Sequence, residues 1–354
     1  MVKKYLLFAS HAYAYAIMRP LQDEIRRRGH EVAWFLEDSC PDRLRPDELR
    51  LSSVSEVMRW NPLAVFAPGN WIYPFFPGVK VCLFHGFPIW KRRTRNKPDG
   101  YFALRGWFDV YCTQGPAGTG RFRDLERQHG YFKVYETGWP KFDSFFGRSL
   151  PPEEPRSELT VLYSTTFSRG ISSAWVMKDE LRRLAAERPW RWIVTFHPKL
   201  IDPELHAAYK QLAADFPNVE FCPDANGIDT FRRSDVMLSD SSSIIIEYLM
   251  TGKPVVTLRN TNPGPYLIDV DSPADIPAAI ERAASRPPEL MREIELYANH
   301  CDPHRDGLNS ARVLDAVDDF IANHRAHMKR KPLNLWRKIK LASSLFKKYI
   351  SSKF

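Results

Sequence analysis

The sequence predicts an α/β protein of two doubly wound domains facing across a cleft, with a basic amphipathic helix at the C-terminus. Three observations carry the expectation. Short apolar runs of the kind that fill buried parallel strands alternate with stretches of helical period along most of the 354 residues. A Pro-rich, charged segment without apolar periodicity, residues 150–157, interrupts the alternation once. The loops that follow the apolar runs hold the histidines and serines, and in such folds ligands bind at the carboxyl ends of the strands.

In the first half, residues 2–9 form a strand, Ile17, Leu21 and Ile25 mark a helix, and Gly29 closes it before a strand at 31–36. Further strands are expected at 63–66, 79–84, 109–113 and 134–137. The second half repeats the rhythm, with strands at 159–163, 192–196, 219–221, 236–238 and 255–258. Its helices fall near 175–187, 203–215, 242–251, 274–285 and 310–323. The expected domains are therefore 1–149 and 158–325, with the linker at 150–157 and a tail at 326–354.

Composition narrows the function. The content is 44% hydrophobic, enough for two cores, and the five cysteines are odd in number and contain no CxxC pair, which suits buried thiols in a reducing compartment. The start, with Lys3-Lys4 and Ala12-Tyr13-Ala14, imitates a signal peptide, but its apolar run is too short, so a first strand and a cytoplasmic protein are expected. No stretch approaches the ~18 apolar residues of a membrane span. From Ala326 onward lie nine of the 51 basic residues and none of the 42 acidic ones, so the whole net charge of +9 sits in the tail. A neutral body excludes nucleic acid as its partner.

The most informative stretch is 235–256. Val236-Met-Leu238 ends at Ser239-Asp240, and Ser241, Ser242 and Ser243 precede a helix with Glu247 on it that Gly252 and Pro254 stop. Free N–H groups, the positive dipole end and three small hydroxyls make a phosphate cradle, which a lone capping serine would not need. Ser164 and Thr165 follow the same domain's first strand, and Phe196-His197-Pro-Lys199 follows its second. In the first domain, His85-Gly86 is followed by Lys91 and Arg92, a base beside cations suited to phosphate. A lone histidine at such a place is more often structural, whereas two at strand ends of facing domains argue for chemistry.

Weaker signals are discounted. Residues 300–304 (His-Cys-Asp-Pro-His) have metal-ligand types, but a polar loop with no second cluster is expected there rather than zinc. Residues 115–120, with three glycines, lack the ending of a phosphate loop and are expected to form a flexible turn.

Taken in order, His85-Gly86 with its cations, Gly138-Trp-Pro140-Lys141-Phe-Asp143, Tyr163-Ser-Thr-Thr166, His197-Pro198, Ser239-Asp-Ser-Ser-Ser243 with Gly252-Lys-Pro254, and Asp306-Gly307 resemble the CDP-glycerol glycerophosphotransferase family of teichoic acid and capsule synthesis. The resemblance runs from about residue 80 to about 323. It implies a GT-B fold of two Rossmann-like domains, and an enzyme that moves glycerol phosphate or a related polyol phosphate from a CDP-linked donor to a lipid-linked or polysaccharide acceptor. His85 and His197 would be the essential pair. Ser164, Thr165, Lys199, Asp240, Ser241 to Ser243 and Glu247 would bind the donor; Gly86, Lys91, Arg92, Pro140, Lys141 and Asp143 would meet acceptor or phosphate. Ser241 stands where the family usually has Tyr, and Lys141 where Arg is common. No metal is required, though Asp240 could hold Mg. The alternatives are a GT-B glycosyltransferase or nucleotide-sugar epimerase, and a non-catalytic scaffold in a polymer-synthesis complex.

In the tail, Leu335, Trp336, Ile339, Ala342, Leu345, Phe346, Tyr349 and Ile350 fall on one side of a helix, with Arg337, Lys340, Lys347 and Lys348 largely opposite. The neutral body offers no obvious acidic partner, so residues 331–354 are expected on an anionic membrane, the inner face of the cell membrane.

Overall fold

The computed structural model describes residues 1–87, 100–147, 157–223, 227–339, 341 and 343. Two six-stranded, fully parallel sheets form its frame. The first has the order β2-β1-β3-β4-β5-β6, from β1 (Lys4–Ala9), β2 (Glu31–Leu36), β3 (Ala64–Ala67), β4 (Val79–Cys82), β5 (Val110–Thr113) and β6 (Lys133–Glu136). The second has the order β12-β11-β10-β7-β8-β9, from β7 (Thr160–Thr165), β8 (Arg191–Phe196), β9 (Val219–Phe221), β10 (Val236–Ser239), β11 (Val255–Leu258) and β12 (Ile268–Val270). Every residue of β3, β4, β5, β7, β10 and β11 is buried, as helices on both faces of a parallel sheet require.

The helices of the first sheet are α1 (Tyr13–Arg27), α2 (Val54–Trp60), α3 (Pro116–His129) and α4 (Asp143–Phe146). Those that follow are α5 (Ala174–Glu187), α6 (Pro203–Asp215), α7 (Gly227–Arg232), α8 (Ile244–Leu249), α9 (Ile276–Ala284), α10 (Pro288–Cys301) and α11 (Asn309–Asp319). Three elements differ from expectation. The glycine-rich run at 115–120 is the start of α3, with Pro116 at its first position, where a missing N–H costs nothing. Helix α10 carries His300 and Cys301, so the histidine-cysteine run begins inside a helix; Leu290, Ile294, Ala298 and Cys301 form its buried stripe. The edge strand β12 is short and only half-buried, which left no apolar run to find.

The chain crosses back at its end. Helix α11, within the stretch expected to belong to the second domain, packs on α1 of the first. Lys3 Nζ lies 2.7 Å from Asp318 Oδ1, Arg28 2.7 Å from Asp315, and Tyr135 Oη donates to Asp319 at 2.6 Å. The first turn of α11 is capped from a distance: Asp143 accepts the N–H groups of Asn309 (2.9 Å) and Ser310 (2.7 Å). At Gly138 the backbone is left-handed (φ 74°), and a Cβ there would lie 2.2 Å from Asn309 Oδ1. Only glycine permits that approach.

The tail is docked as far as it is described. Lys331 Nζ pairs with Asp109 Oδ1 at 2.6 Å and donates to Trp107 O, so the body does supply an acidic partner, one that a net charge near zero concealed. Asn334 and Arg337 donate to Arg105 O, and Leu341 is buried in the core that holds Phe108, Tyr111 and Phe132. Residues 344–354, with the rest of the expected apolar face, and most of the expected linker lie outside the described residues.

Beside the crossover, Asp302 is 1% exposed and accepts the N–H groups of Trp139 (3.0 Å) and His304 (3.0 Å). Burial outweighs those bonds and pushes its carboxyl up to about 7. An unfolded aspartate titrates near pH 4. Between those values the native state holds a proton the unfolded chain has lost, so this group's contribution is complete below about pH 4 and is lost as pH rises through 7. Urea unfolding across pH 4 to 8 should therefore show a fall in stability that is shallower in Asp302→Asn; parallel curves for the two proteins would contradict this.

Candidate active site at the strand ends

The residues expected to bind the donor are arranged around Asp240. It follows β10, is fully buried, and its two carboxyl oxygens accept from Thr165 Oγ1, Thr166 N–H (3.0 Å), Ser173 N–H (2.9 Å), Ser173 Oγ (3.1 Å) and Ser241 N–H (2.7 Å). A carboxyl ringed by donors fastens the turn after β10 to the turn after β7. It is a poor cation ligand, and the expected option of Mg on Asp240 is therefore not supported by its surroundings. Among the described residues no group of three or more His, Cys, Asp or Glu side chains is arranged to hold a metal.

The neighbouring hydroxyls divide in the same way. Ser164 and Thr165 are buried; Thr165 Oγ1 is spent on Asp240, and the Ser164 carbonyl accepts from Ser239 Oγ at 2.6 Å. Ser241 Oγ accepts the Thr261 N–H at 2.9 Å, and Asn260 Nδ2 donates to Asp240 O at 2.6 Å. Of the three serines, Ser242 and Ser243 are left with hydroxyls not engaged by protein among the described residues, half-buried and exposed respectively, where α8 begins. Arg259, just before this Asn260 loop, is left-handed (φ 53°), a backbone form uncommon outside glycine.

His197 follows β8, two strands from β10 with β7 between. Its Nδ1 accepts the Lys199 N–H at 3.1 Å. That contact requires Nδ1 to be bare, so in the neutral ring the proton is on Nε2, away from the turn. Phe167 lies against the imidazole (ring centroids 4.6 Å apart), and Lys199 Nζ sits 5.5 Å above Phe167. Sequence reasoning missed Ser173 and Asn260, because neither has a periodic or motif signal; only their position in loops past strand ends could have drawn attention.

In the first sheet, where the acceptor is expected, β4 ends at Cys82 and the chain reaches His85 through Phe84, itself left-handed (φ 58°). His85 is exposed at a cleft lined by Pro68, Asn70, Gly86, Gly100 and Tyr101. Gln114 Nε2 donates to Gly86 O (3.0 Å) and its Oε1 accepts from Tyr101 (2.8 Å), which sets the floor of that cleft. Lys91 and Arg92 lie outside the described residues.

The 138–143 motif is engaged in structure. Pro140 is buried, and Asp143 is the remote cap of α11; burial raises its carboxyl above the usual range. Lys141 forms a half-buried ion pair with Glu247 on α8, with its Nζ 5.3 Å above the Trp139 ring. Two residues expected to meet different substrates therefore meet each other and tie the two domains together beside the Trp139 indole, which donates to Phe84 O at 3.3 Å.

No protein-family model matches the chain and no curated protein matches it. Solved structures do. A putative UDP-N-acetylglucosamine 2-epimerase from Listeria monocytogenes aligns with a TM-score of 0.62 at 15% identity, over 92% of this chain and 98% of that one. The wall teichoic acid polymerase TagF, in a variant soaked with CDPG, aligns with a TM-score of 0.63 at 13% identity, over 90% and 88%. MnaA of S. aureus, in a co-structure with UDP, aligns with a TM-score of 0.57 at 14% identity, over 94% and 100%. The likeness establishes a GT-B-like fold of two Rossmann-like domains.

Proposed function

We propose that the protein is a transferase that moves glycerol phosphate, or a related polyol phosphate, from a CDP-linked donor to a hydroxyl of a lipid-linked or polysaccharide acceptor. The observation that carries this is the His197 ring, whose Nε2 proton is directed by the Lys199 N–H, together with a second histidine, His85, at a strand end of the other sheet. The donor pyrophosphate rests against the Ser242 and Ser243 hydroxyls at the start of α8. The acceptor oxygen attacks the phosphorus bearing the polyol, the bond from that phosphorus to the bridging oxygen breaks, and CMP leaves with that oxygen. His197 Nε2–H stabilises the growing negative charge, and His85 takes the acceptor's proton. Positioning and charge stabilisation supply most of the acceleration in phosphoryl transfer, which the Asp240-braced turns suit.

A second reading has support of its own. Two of the similar structures bear the name of UDP-N-acetylglucosamine 2-epimerase or are bound to UDP, so a UDP-sugar epimerase or glycosyltransferase shares this fold. Free serines at the α8 start favour the phosphotransferase. With CDP-glycerol and a polyol-phosphate acceptor, His85→Ala and His197→Ala should each lower CMP release by roughly 10²-fold or more while leaving the melting temperature unchanged. Near-wild-type release in both variants would overturn the assignment.

The acceptor is met at an anionic membrane surface, in this proposal the inner face of the cell membrane. No described helix is long and apolar enough to cross a bilayer. Leu333, Leu335, Trp336 and Ile339 are 70, 63, 79 and 58% exposed, on a segment whose other contacts, through Asn334, Arg337 and Leu341, hold it to the first domain. Apolar side chains turned outward among nine cations fit a lipid surface. Replacing Leu335, Trp336 and Ile339 together by serine should weaken sedimentation with anionic vesicles roughly tenfold or more. Unchanged pelleting would exclude the tail as the membrane contact.

A further inference from the structure

The acceptor side holds a three-ring stack that its sequence motifs do not include. β1 ends at Ala9, and Ser10, His11 and Ala12 lead into α1, which begins at Tyr13. In the sheet β1 and β4 are separated only by β3, so their exits lie near one another. The Tyr13 ring stacks with two imidazoles: its centroid is 5.4 Å from that of His11, with 6° between the planes, and 5.1 Å from that of His85, with 25°. Ser10 Oγ is 3.1 Å from His11 Nδ1, which restrains the outer ring.

The β3 exit borders this stack. A Cβ on Gly69 would lie 3.4 Å from Tyr13 Oη and 3.8 Å from Ser10 Oγ, ordinary contact distances that place the phenol over the β3 end. Tyr13 is 37% exposed, yet burial still raises its phenol above the usual value, so it stays neutral in the range where a histidine titrates. It is therefore unsuited to be a base itself. What a neutral ring in this place can do is fix the plane of the neighbouring imidazole and, once that imidazole is protonated, face the cation with its π-cloud.

We infer that Tyr13 is a positioning residue for His85, holding the acceptor-side imidazole in one orientation from a ring that also stacks with His11. Its catalytic consequence rests on the proposed role of His85 as the group that takes the acceptor's proton. His85 follows a left-handed residue in an exposed turn, where a flat ring surface against the imidazole narrows the angles it can take. The stack supplies that surface from α1, the helix against which α11 docks. It thereby joins the site to the most strongly braced part of the first domain.

Two variants and two readouts test this on the full chain. In wild-type protein, the His85 ring protons, assigned by comparison with His85→Gln, should show an upfield ring-current shift in two-dimensional NMR. That shift should persist in Tyr13→Phe and disappear in Tyr13→Leu. With CDP-glycerol as donor, Tyr13→Phe should keep kcat within about threefold, whereas Tyr13→Leu should lose roughly tenfold or more in kcat with the donor KM unchanged. Equal kcat in Tyr13→Leu and wild type, or a His85 signal unmoved by Tyr13→Leu, would overturn the inference. Should wild-type protein release no CMP, the functional proposal fails, while the NMR comparison still decides whether Tyr13 orients His85.

Discussion

The close approach of the Asn309 side chain to the Gly138 backbone holds the molecule together as one body. A parallel sheet buries both its faces, and each half of this chain could bury its own; nothing in two such halves fixes how their strand ends face each other. Here the fixing comes from long-range contacts around one corner. The left-handed glycine admits Asn309, Asp143 caps the helix that Asn309 begins, and Asp302 accepts the N–H of Trp139. The helix so anchored then lies along α1 and ties Lys3, Arg28 and Tyr135 to its acidic face. Since α1 also carries Tyr13, the contact that joins the domains leads directly to the rim of the cleft at His85.

Charge is distributed across the site with the same economy. Asp240 is wholly consumed by donors from the β7 and β10 turns, so the serine turn is rigid before any ligand arrives. Lys141 and Glu247 neutralise each other where the domains touch. In the proposed reaction the groups offered to the donor phosphates are the Ser242 and Ser243 hydroxyls and His197 Nε2–H. Neutral, preorganised donors suit a group whose negative charge grows during reaction, because they need no reorganisation when it does.

The frame was legible because parallel strands leave continuous apolar runs, and eleven of the twelve strands correspond to such runs. Strand β12 did not, being three residues at an edge. Helix α10 opens with Pro287-Pro288 and carries polar residues on most of its faces, which hid a four-residue stripe plain in retrospect. The histidines and serines stood out through a fold-level rule, that ligands gather past the ends of parallel strands. That rule cannot separate a residue facing a ligand from one spent on the protein. Asp143 and Lys141 meet partners 166 and 106 residues away, and no spacing along the chain encodes such a pairing. Lys331 with Asp109 is the same case, for a net charge of zero conceals individual acids.

In the proposed reaction the donor carries cytidine diphosphate and surrenders a phosphorylated polyol. Purified full-length protein incubated separately with CDP-glycerol, CDP-ribitol and UDP-N-acetylglucosamine, with a polyol-phosphate acceptor present and products resolved by anion-exchange chromatography, addresses it without any mutation. Release of CMP from a CDP-polyol, with lengthening of the acceptor by one phosphodiester unit, is the predicted result. Release of UDP or epimerisation of the UDP-sugar, with both CDP-polyols left intact, would contradict it.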